Sequence, residues 1–587
     1  MTRILGLSFH YHDAAAALVE DGLVIAAAEE ERFTRIKHDP SFPDEAIDFC
    51  LRHAGTDITG IDAVAFYEKP LVKFERLITQ HVEHFPRSFK TFHRAMPSWL
   101  GEKLHVRKLL RKRWNYTGDV YFMEHHLSHA AGAFYPSPFE EAAILTVDGV
   151  GEWTTAAQGV GRGRHLDLTH EIRFPHSLGL LYSTITAYLG FSVNNSEYKV
   201  MGLSAYGDKE PTRNPYYAKL RQVIDIKPDG SFQLDPSYFT YEYADRMPSK
   251  KLCALLDGPV RRESEPVTER HQHIAAAVQL ITEEAMIAML RSLRERTKLD
   301  NVVLSGGVAL NSVLNGKILS QTDFKDVWIQ PAAGDAGSSL GAALYLNHAV
   351  LGHERTVGPS SARLGPSYSS EEVGAFLRSQ NIVHHHFQTR EQVVAQTAQL
   401  IGEGKVVGWF QGRMEWGPRA LGGRSILANP ADPLMRDKLN LKVKHREAFR
   451  PFAPSVCAED ASTYFECDEP IPAPADSMLM VYPVRPHWRA KLPAVTHVDG
   501  TGRVQTVRQN ADPLYHALIK SVGEVTGVPM VVNTSFNIRG EPVVCTPEQA
   551  YRCMMGTGID CLVMEDYLIW RHENPADMWD SEATAKD

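Results

Sequence analysis

The sequence predicts an α/β protein made of two duplicated halves, followed by a second α/β unit. Three observations carry this. The chain opens with a strand meander, the same layout returns after about 140 residues, and a connection rich in Gly, Pro and Ser near 352–370 precedes a new α/β run. In the first half, strands are expected over 3–9, 14–20 and 23–28, with Glu20-Asp21-Gly22 as a hairpin turn. In the second, 144–147 reads as a strand, Asp148-Gly149 as a turn, 154–159 as a strand and 159–163 as a Gly-rich turn. Helices are expected over 44–54 and 270–293, the latter with Ile274, Val278, Ile281, Ala285 and Met289 on one stripe. A short strand over 301–304 runs into Ser305-Gly306-Gly307, a turn that opens a helix. Residues 68–120 break the α/β rhythm and read as an insertion over the cleft, a natural substrate lid. The first unit is therefore placed at 1–355 and the second at 370–587. The second starts with helices over 370–379 and 391–402 and a strand over 406–410, and the acidic end from about 573 reads as frayed.

Composition narrows the function. A chain of 587 residues holds more than one core. Its net charge of −9 argues against a partner held through phosphates, so no nucleic acid is expected. One basic run, Arg107 to Arg113, reads as a solvated helix face. Seven scattered cysteines with no C-x-x-C point to a reducing compartment, and no run reads as a leader or a membrane span. A cytoplasmic protein without a membrane partner is expected.

The chemistry is concentrated in a few motifs. His125 and His129 stand four apart and can reach one ion from one helix face. Asp148 and Asp335, at turns after strands, can add oxygen ligands; the set suits iron, zinc or another first-row metal. Alone, the H-x-x-x-H would be a solvated helix face. Ser305-Gly306-Gly307 and Gly334-Asp335-Ala336-Gly337, with Asp148-Gly149, give the phosphate-binding turns of an actin-like ATPase cleft. His12, at the first turn, is a general base oriented by Asp13, or a turn histidine in solvent. Residues 197–207 read as a helix closed by Gly207, a wall of the same pocket. The second unit differs. Arg413, Arg419 and Arg424 lie among glycines, Lys442 to Arg450 adds Lys444, His445 and Arg446, and Arg503, Asn533 and Ser535 follow. Arginine forks match the oxygens of a small, multiply charged anion.

These motifs resemble the O-carbamoyltransferase family of nodulation and antibiotic-tailoring enzymes. The resemblance rests on His12-Asp13-Ala14-Ala15, Glu29 to His38, His125-His126-Leu127-Ser128-His129-Ala130, Val147-Asp148-Gly149, Met201-Gly202-Leu203 and Gly306 to Asn311. It continues through Gly334-Asp335, Trp416 to Gly422, Lys444 to Glu447, Phe449 to Phe452 and Asn533 to Asn537, in order along nearly the whole chain.

The resemblance implies an actin-like first domain like the tRNA threonylcarbamoyl-transfer protein, and a second like the threonylcarbamoyl-adenylate synthase. It implies that carbamoyl phosphate is hydrolysed in the second domain and that the carbamate reacts with ATP to give carbamoyl-adenylate. A hydroxyl of a small-molecule acceptor, a natural product or sugar, then takes the carbamoyl group in the first. By the same resemblance His125, His129, Asp148 and Asp335 hold iron(II), with magnesium accompanying ATP, and His12 takes the acceptor's proton. Lys37, Gly149, Gly306, Gly307, Asn311 and Gly334 contact the nucleotide. Arg419 or Arg424, with Lys444, His445, Arg446, Arg450, Arg503, Asn533 and Ser535, bind carbamoyl phosphate and ATP. The chemistry is coherent: carbamate is a poor electrophile, and adenylation supplies a leaving group. The alternatives are a tRNA-modifying threonylcarbamoyl transferase, disfavoured by the acidic balance, and a non-catalytic nucleotide-binding partner, disfavoured by the intact motifs. The acceptor and the oligomeric state stay open, a homodimer among the options.

Overall fold

A computed structural model describes residues 1–356, 358, 361–444 and 450–575. The chain forms two compact units. The first comprises 1–27 and 40–359, the second 28–39 and 360–587.

The first unit contains two five-stranded sheets of the same topology. One is built from β1 (Arg3–Ser8), β2 (Ala15–Glu20), β3 (Leu23–Glu29), β4 (Ala63–Phe66) and β5 (Asp119–Phe122), in the order β3-β2-β1-β4-β5. The second draws on β6 (Glu141–Val147), β7 (Thr154–Arg162) and β8 (His165–Arg173). After a separate small hairpin, β9 (Ile224–Ile226) and β10 (Phe232–Leu234), come β11 (Asn301–Ser305) and β12 (Asp326–Ile329). Its order, β12-β11-β6-β7-β8, is again a three-strand meander whose first strand pairs in parallel with β11, which pairs in parallel with β12. The duplicated α/β halves are therefore as expected. Asp21 and Gly22, at φ 47° and 83°, make the first hairpin turn, where two left-handed residues match the twist of the strands.

One expectation is corrected. Residues 159–162 are not a turn, because β7 runs to Arg162. Gly159 is required there because a Cβ would lie 2.0 Å from the Asp167 carbonyl oxygen, and Gly161 because it lies under the Phe134 ring. Residues 68–120, expected as an insertion, are largely helical. The helices Pro70–Glu83, Phe89–Ser98 and Val106–Trp114 form a long crossover between β4 and β5, which pair in parallel. The exposed basic residues of the last helix are the expected solvated face. The helix Glu269–Thr297 is long and apolar enough to cross a membrane, but most of its apolar stretch is buried, with Ile274, Val278, Ile281, Ala285 and Met289 fully covered.

The second unit holds a nine-stranded mixed sheet. Its strands are β13 (His385–His386), β14 (Val407–Phe410), β15 (Arg424–Ala428), β16 (Ala453–Cys457), β17 (Met480–Pro483), β18 (Thr501–Val507), β19 (Met530–Ser535), β20 (Cys561–Met564) and β21 (Tyr567–Trp570). They run in the order β13-β21-β20-β14-β15-β19-β16-β18-β17. The helices Arg390–Gly402 and Pro513–Thr526 pack a core of Ile401, Trp409, Leu518 and Val531 on it. Residues 28–39, expected in the first unit, pack here. Glu29, Glu30, Glu31 and Arg32 are all buried. Glu29 accepts the Gly417 N–H at 3.0 Å, and Arg32 donates to the Gly417 carbonyl at 2.9 Å. Arg35 donates to the carbonyls of Pro542 and Val543, each at 2.6 Å.

Glycine sets the closest contacts of the first unit. The helix His125–Phe134 crosses the helix Asp335–Tyr345 where a Cβ on Gly341 would lie 1.9 Å from the Ser128 carbonyl oxygen. Gly132 faces the Gly337 carbonyl at the same crossing, and Gly6 of β1 meets Ser339 as closely. Gly341→Ala should therefore destabilise the protein by about 1–3 kcal/mol through overpacking. Gly101→Ala, where a Cβ meets nothing within 4 Å, should be close to neutral. Denaturant midpoints of the two variants check this; equal midpoints would contradict the crossing.

Candidate active site

The helix His125–Phe134 starts beside the end of β4 and turns His125 and His129 to one side, one turn apart. Their Nε2 atoms lie 3.1 Å from each other. Asp148, just after β6, brings Oδ2 to 3.2 Å from His125 Nε2 and 3.9 Å from His129 Nε2. Asp335, the first residue of its helix, brings Oδ1 to 3.6 and 3.5 Å from the same two atoms. The four expected ligands thus converge from three elements.

The donor set fits a metal ion. Bonds of about 2.0–2.2 Å to one ion place neighbouring ligand atoms roughly 3–3.6 Å apart; four of the five distances above lie in that range, and the His129–Asp148 pair is longer at 3.9 Å. Asp335 Oδ1 is buried and has no hydrogen-bond partner among the described residues. Second-layer contacts hold the ligands still. His129 Nδ1 lies 3.2 Å from Ser305 Oγ and 3.1 Å from Ser338 Oγ, and Asp148 Oδ1 accepts the Gly307 N–H at 2.8 Å. His126, between the ligands, points elsewhere and bonds Thr146 Oγ1 at 2.7 Å.

Sequence reasoning missed Glu152. Both its carboxylate oxygens lie 3.1 Å from the His125 N–H and cap the helix that carries the ligands, and it also accepts the Lys69 N–H. Its place four residues after Asp148 was the available signal.

His12 lies on the loop after β1, with Nδ1 2.8 Å from Asp13 Oδ2 and Nε2 3.9 Å from Asp335 Oδ2. Burial disfavours its charged form, yet Asp335 and then Asp13 outweigh this and push it up to about 10. The Asp335 charge that holds this proton is the one a bound cation would neutralise. His129 is likewise pushed up to about 9: burial works the other way, but Asp148 and Asp335 prevail.

The remaining expected residues of this unit divide. Gly306, at φ 93°, allows the turn to pass Val147, and a Cβ on Gly334 would meet nothing within 4 Å, so the helix start at Asp335 faces open space. The Gly149 carbonyl accepts from Ser177 Oγ at 2.6 Å. Asn311 is corrected to a structural role. It exchanges amide hydrogen bonds with Gln279 at 2.9 and 3.0 Å and caps the next turn through the Leu314 N–H. Lys37 lies on the 28–39 segment and so belongs to the second unit.

In the second unit, Lys444 is buried and donates to the Ser535 carbonyl, and at 2.8 Å to Asn537 Oδ1. Ser535 Oγ donates to that same Oδ1 at 2.6 Å. Asn533 donates to the Ala420 carbonyl at 3.1 Å and to Gln505 Oε1 at 2.8 Å, tying the Gly-Pro-Arg loop to β18 and β19. Arg419, Arg450 and Arg503 are half-buried.

Arg424 is corrected: it is a structural arginine. It is fully buried, stacks 3.6 Å from the Phe410 ring centre and donates to the carbonyls of Gln411, Gly412, Gly423 and Pro366. Glu415, missed from the sequence, gathers the N–H groups of Leu421, Gly423 and Arg424 on one oxygen and shapes the loop. His445, Arg446 and the acidic end beyond 575 lie outside the described residues.

Two outcomes follow from the quartet. His129→Ala should lose bound metal by elemental analysis; unchanged content per chain would remove the assignment. A ligand histidine must be neutral, so protons compete with the metal. With His129 at about 9 in the metal-free protein, metal affinity should rise as pH increases towards that value, by roughly tenfold per unit for one displaced proton. Chelator competition over a pH series reads this, and a flat profile would contradict it.

Comparison with known proteins bears on the whole chain. A family model described as "Carbamoyltransferase N-terminus" matches residues 3–344, and "Carbamoyltransferase C-terminus" matches 398–571. The chain is 46% identical to the uncharacterized protein sll1178 of Synechocystis, over 98% of each. It is 38% identical to nodulation protein NolNO of Sinorhizobium fredii, over 97% of this chain and 80% of that one. Among solved structures, full-length HypF bound to phosphate and nucleotide aligns with 60% of this chain and 56% of its own, at 14% identity and a TM-score of 0.30. Two family models spanning most of the chain, and relatives matched nearly end to end, show that it belongs to the carbamoyltransferase family and is a carbamoyltransferase.

Proposed function

We propose that this enzyme makes carbamoyl-adenylate in its second unit and transfers the carbamoyl group to a hydroxyl of a small molecule in its first. The observation that carries the reading is the buried His125, His129, Asp148 and Asp335 set with His12 beside it. The NolNO relative, a nodulation protein, supports a small-molecule acceptor, and the acidic balance argues against RNA. A cytoplasmic enzyme agrees with seven cysteines that form no disulfide among the described residues.

The steps balance. Water cleaves carbamoyl phosphate to carbamate and phosphate. Carbamate oxygen attacks the α-phosphorus of ATP, forming the mixed anhydride and releasing pyrophosphate. The acceptor oxygen then attacks the carbamoyl carbon, its proton leaves to a base and AMP departs. In the second unit Arg419, Arg450, Arg503, Lys444 and Ser535 supply cationic and hydroxyl donors for the phosphate oxygens. In the first unit His125, His129, Asp148 and Asp335 would hold a first-row metal, iron(II) by family resemblance, which supplies charge stabilisation at the adenylyl phosphate. The glycine turns at 149, 306–307 and 334 leave backbone room for the nucleotide. His12, oriented by Asp13, takes the acceptor's proton.

The native protein should release pyrophosphate from ATP only when carbamoyl phosphate is present, and mass spectrometry should find a carbamoyl group added to an accepted alcohol. Ser535→Ala should slow pyrophosphate release while leaving transfer from supplied carbamoyl-adenylate intact. His12→Asn should do the reverse, cutting single-turnover transfer by about 10²–10⁴-fold. Pyrophosphate release independent of carbamoyl phosphate would overturn the scheme; a parental transfer rate in His12→Asn would leave the base unidentified.

A further inference from the structure

Buried polar atoms without partners cluster beside the metal ligands. Two belong to residues that the scheme above does not use, Tyr67 Oη and Arg76 Nε. Tyr67 ends β4 and is 1% exposed. Its carbonyl accepts from Ser128 Oγ at 2.9 Å, and its ring centre lies 5.5 Å from that of His125. Arg76, on the helix Pro70–Glu83, is 6% exposed. Of its five N–H groups, Nη1 donates to the Gly151 carbonyl at 2.8 Å, and its Cζ lies 5.4 Å from the Phe174 ring centre. Gly151 in turn packs directly on His125. Arg76 therefore stands one residue away from the ligand set.

The electrostatics are out of balance at this point. Lys73, one turn before Arg76, is matched by Glu68 at 2.6 Å, both buried. Among the described residues Arg76 forms no ion pair, and Glu68 and Glu152 act on its charge only from a distance. Buried charges are ordinarily paired, and a buried donor without an acceptor costs free energy. Burial draws the Arg76 guanidinium down to about 10, which still leaves it charged at neutral pH. The Tyr67 hydroxyl is a neutral donor at ordinary pH. A cation whose Nε–H and a neutral residue whose O–H both lack an acceptor among the described residues suit an oxyanion.

We propose that Arg76 and Tyr67 form an oxyanion subsite on the wall of the metal pocket. The subsite takes a phosphate or carboxylate group. The group has two possible sources, the adenylyl phosphate of the activated intermediate or an anionic substituent of the acceptor. The inference rests on the transfer reading only for naming these sources; the subsite itself is read from the packing.

The test is anomalous diffraction from crystals of the full chain grown with selenate, with calorimetry of selenate binding. The native protein should show a selenium peak within hydrogen-bond reach of Arg76 Nε and Tyr67 Oη. Arg76→Gln should lose that peak and bind selenate about 10- to 100-fold more weakly at this site, the range for a hydrogen bond to a charged group. Arg76→Lys, which restores charge without the fork, should recover part of the affinity. Metal content and thermal midpoint, measured alongside, separate lost anion binding from lost structure. AMP added to native crystals distinguishes the sources. Displacement of selenate by the AMP phosphate identifies the adenylyl group, and simultaneous occupancy identifies the acceptor. No peak at Arg76 in the native protein, or a peak that survives in Arg76→Gln, overturns the proposal. Failure of the transfer reading would show separately, as pyrophosphate release indifferent to carbamoyl phosphate.

Discussion

The close crossing of two helices on glycine is the constraint on which the first unit depends. With Gly132 and Gly341 at the contact, the backbones of His125–Phe134 and Asp335–Tyr345 approach to a distance that any side chain would prevent. Only at that distance do Asp335 and the two histidines face one point. Gly6 extends the same constraint to β1, whose end carries the loop with His12. His12, His125, His129 and Asp335 are thus positioned by one packed junction of backbone, which side-chain rotation cannot loosen.

That junction encloses a dense set of charges. Two carboxylates and two imidazoles meet in a volume from which water is largely excluded. Without a cation the carboxylates of Asp148 and Asp335 favour the protonated form of His129, and Asp335 favours that of His12. A bound cation would offset the same carboxylate charge and lower the proton affinity of His12. Metal occupancy and the proton inventory of the site are two descriptions of one equilibrium.

Much of this was legible in the residues. The meander strands showed themselves through apolar runs and the Asp21-Gly22 turn, and the convergence of His125, His129, Asp148 and Asp335 through residue types placed at the ends of elements. Other features were illegible for definite reasons. Gly159 and Gly161 look like turn residues, and only the Asp167 carbonyl and Phe134 ring beside them reveal a packing role. Arg419 and Arg424 are chemically identical, and burial separates them: one remains half-exposed, while the other is enclosed by carbonyls. Asn311 had the right type and spacing for a ligand contact, but its amide is consumed by Gln279, a residue on a helix far away in sequence. The helices of the connection after β4 were not legible, because its aromatic and basic residues mask their periodicity.

The strap at 28–39 makes the second unit discontinuous in sequence. Its Arg32 holds Gly417 across 385 residues of chain. A segment made at the start of synthesis must therefore wait for nearly the whole polypeptide before its buried charges, Glu29 to Arg32, find their partners. The two modules also cannot be parted by one cut at the apparent linker. A fragment starting at 360 would lack the clamp on its arginine loop, and one ending there would leave four charged residues without their burial site. The strap makes the two units inseparable as folding objects, which favours their inheritance as a single chain.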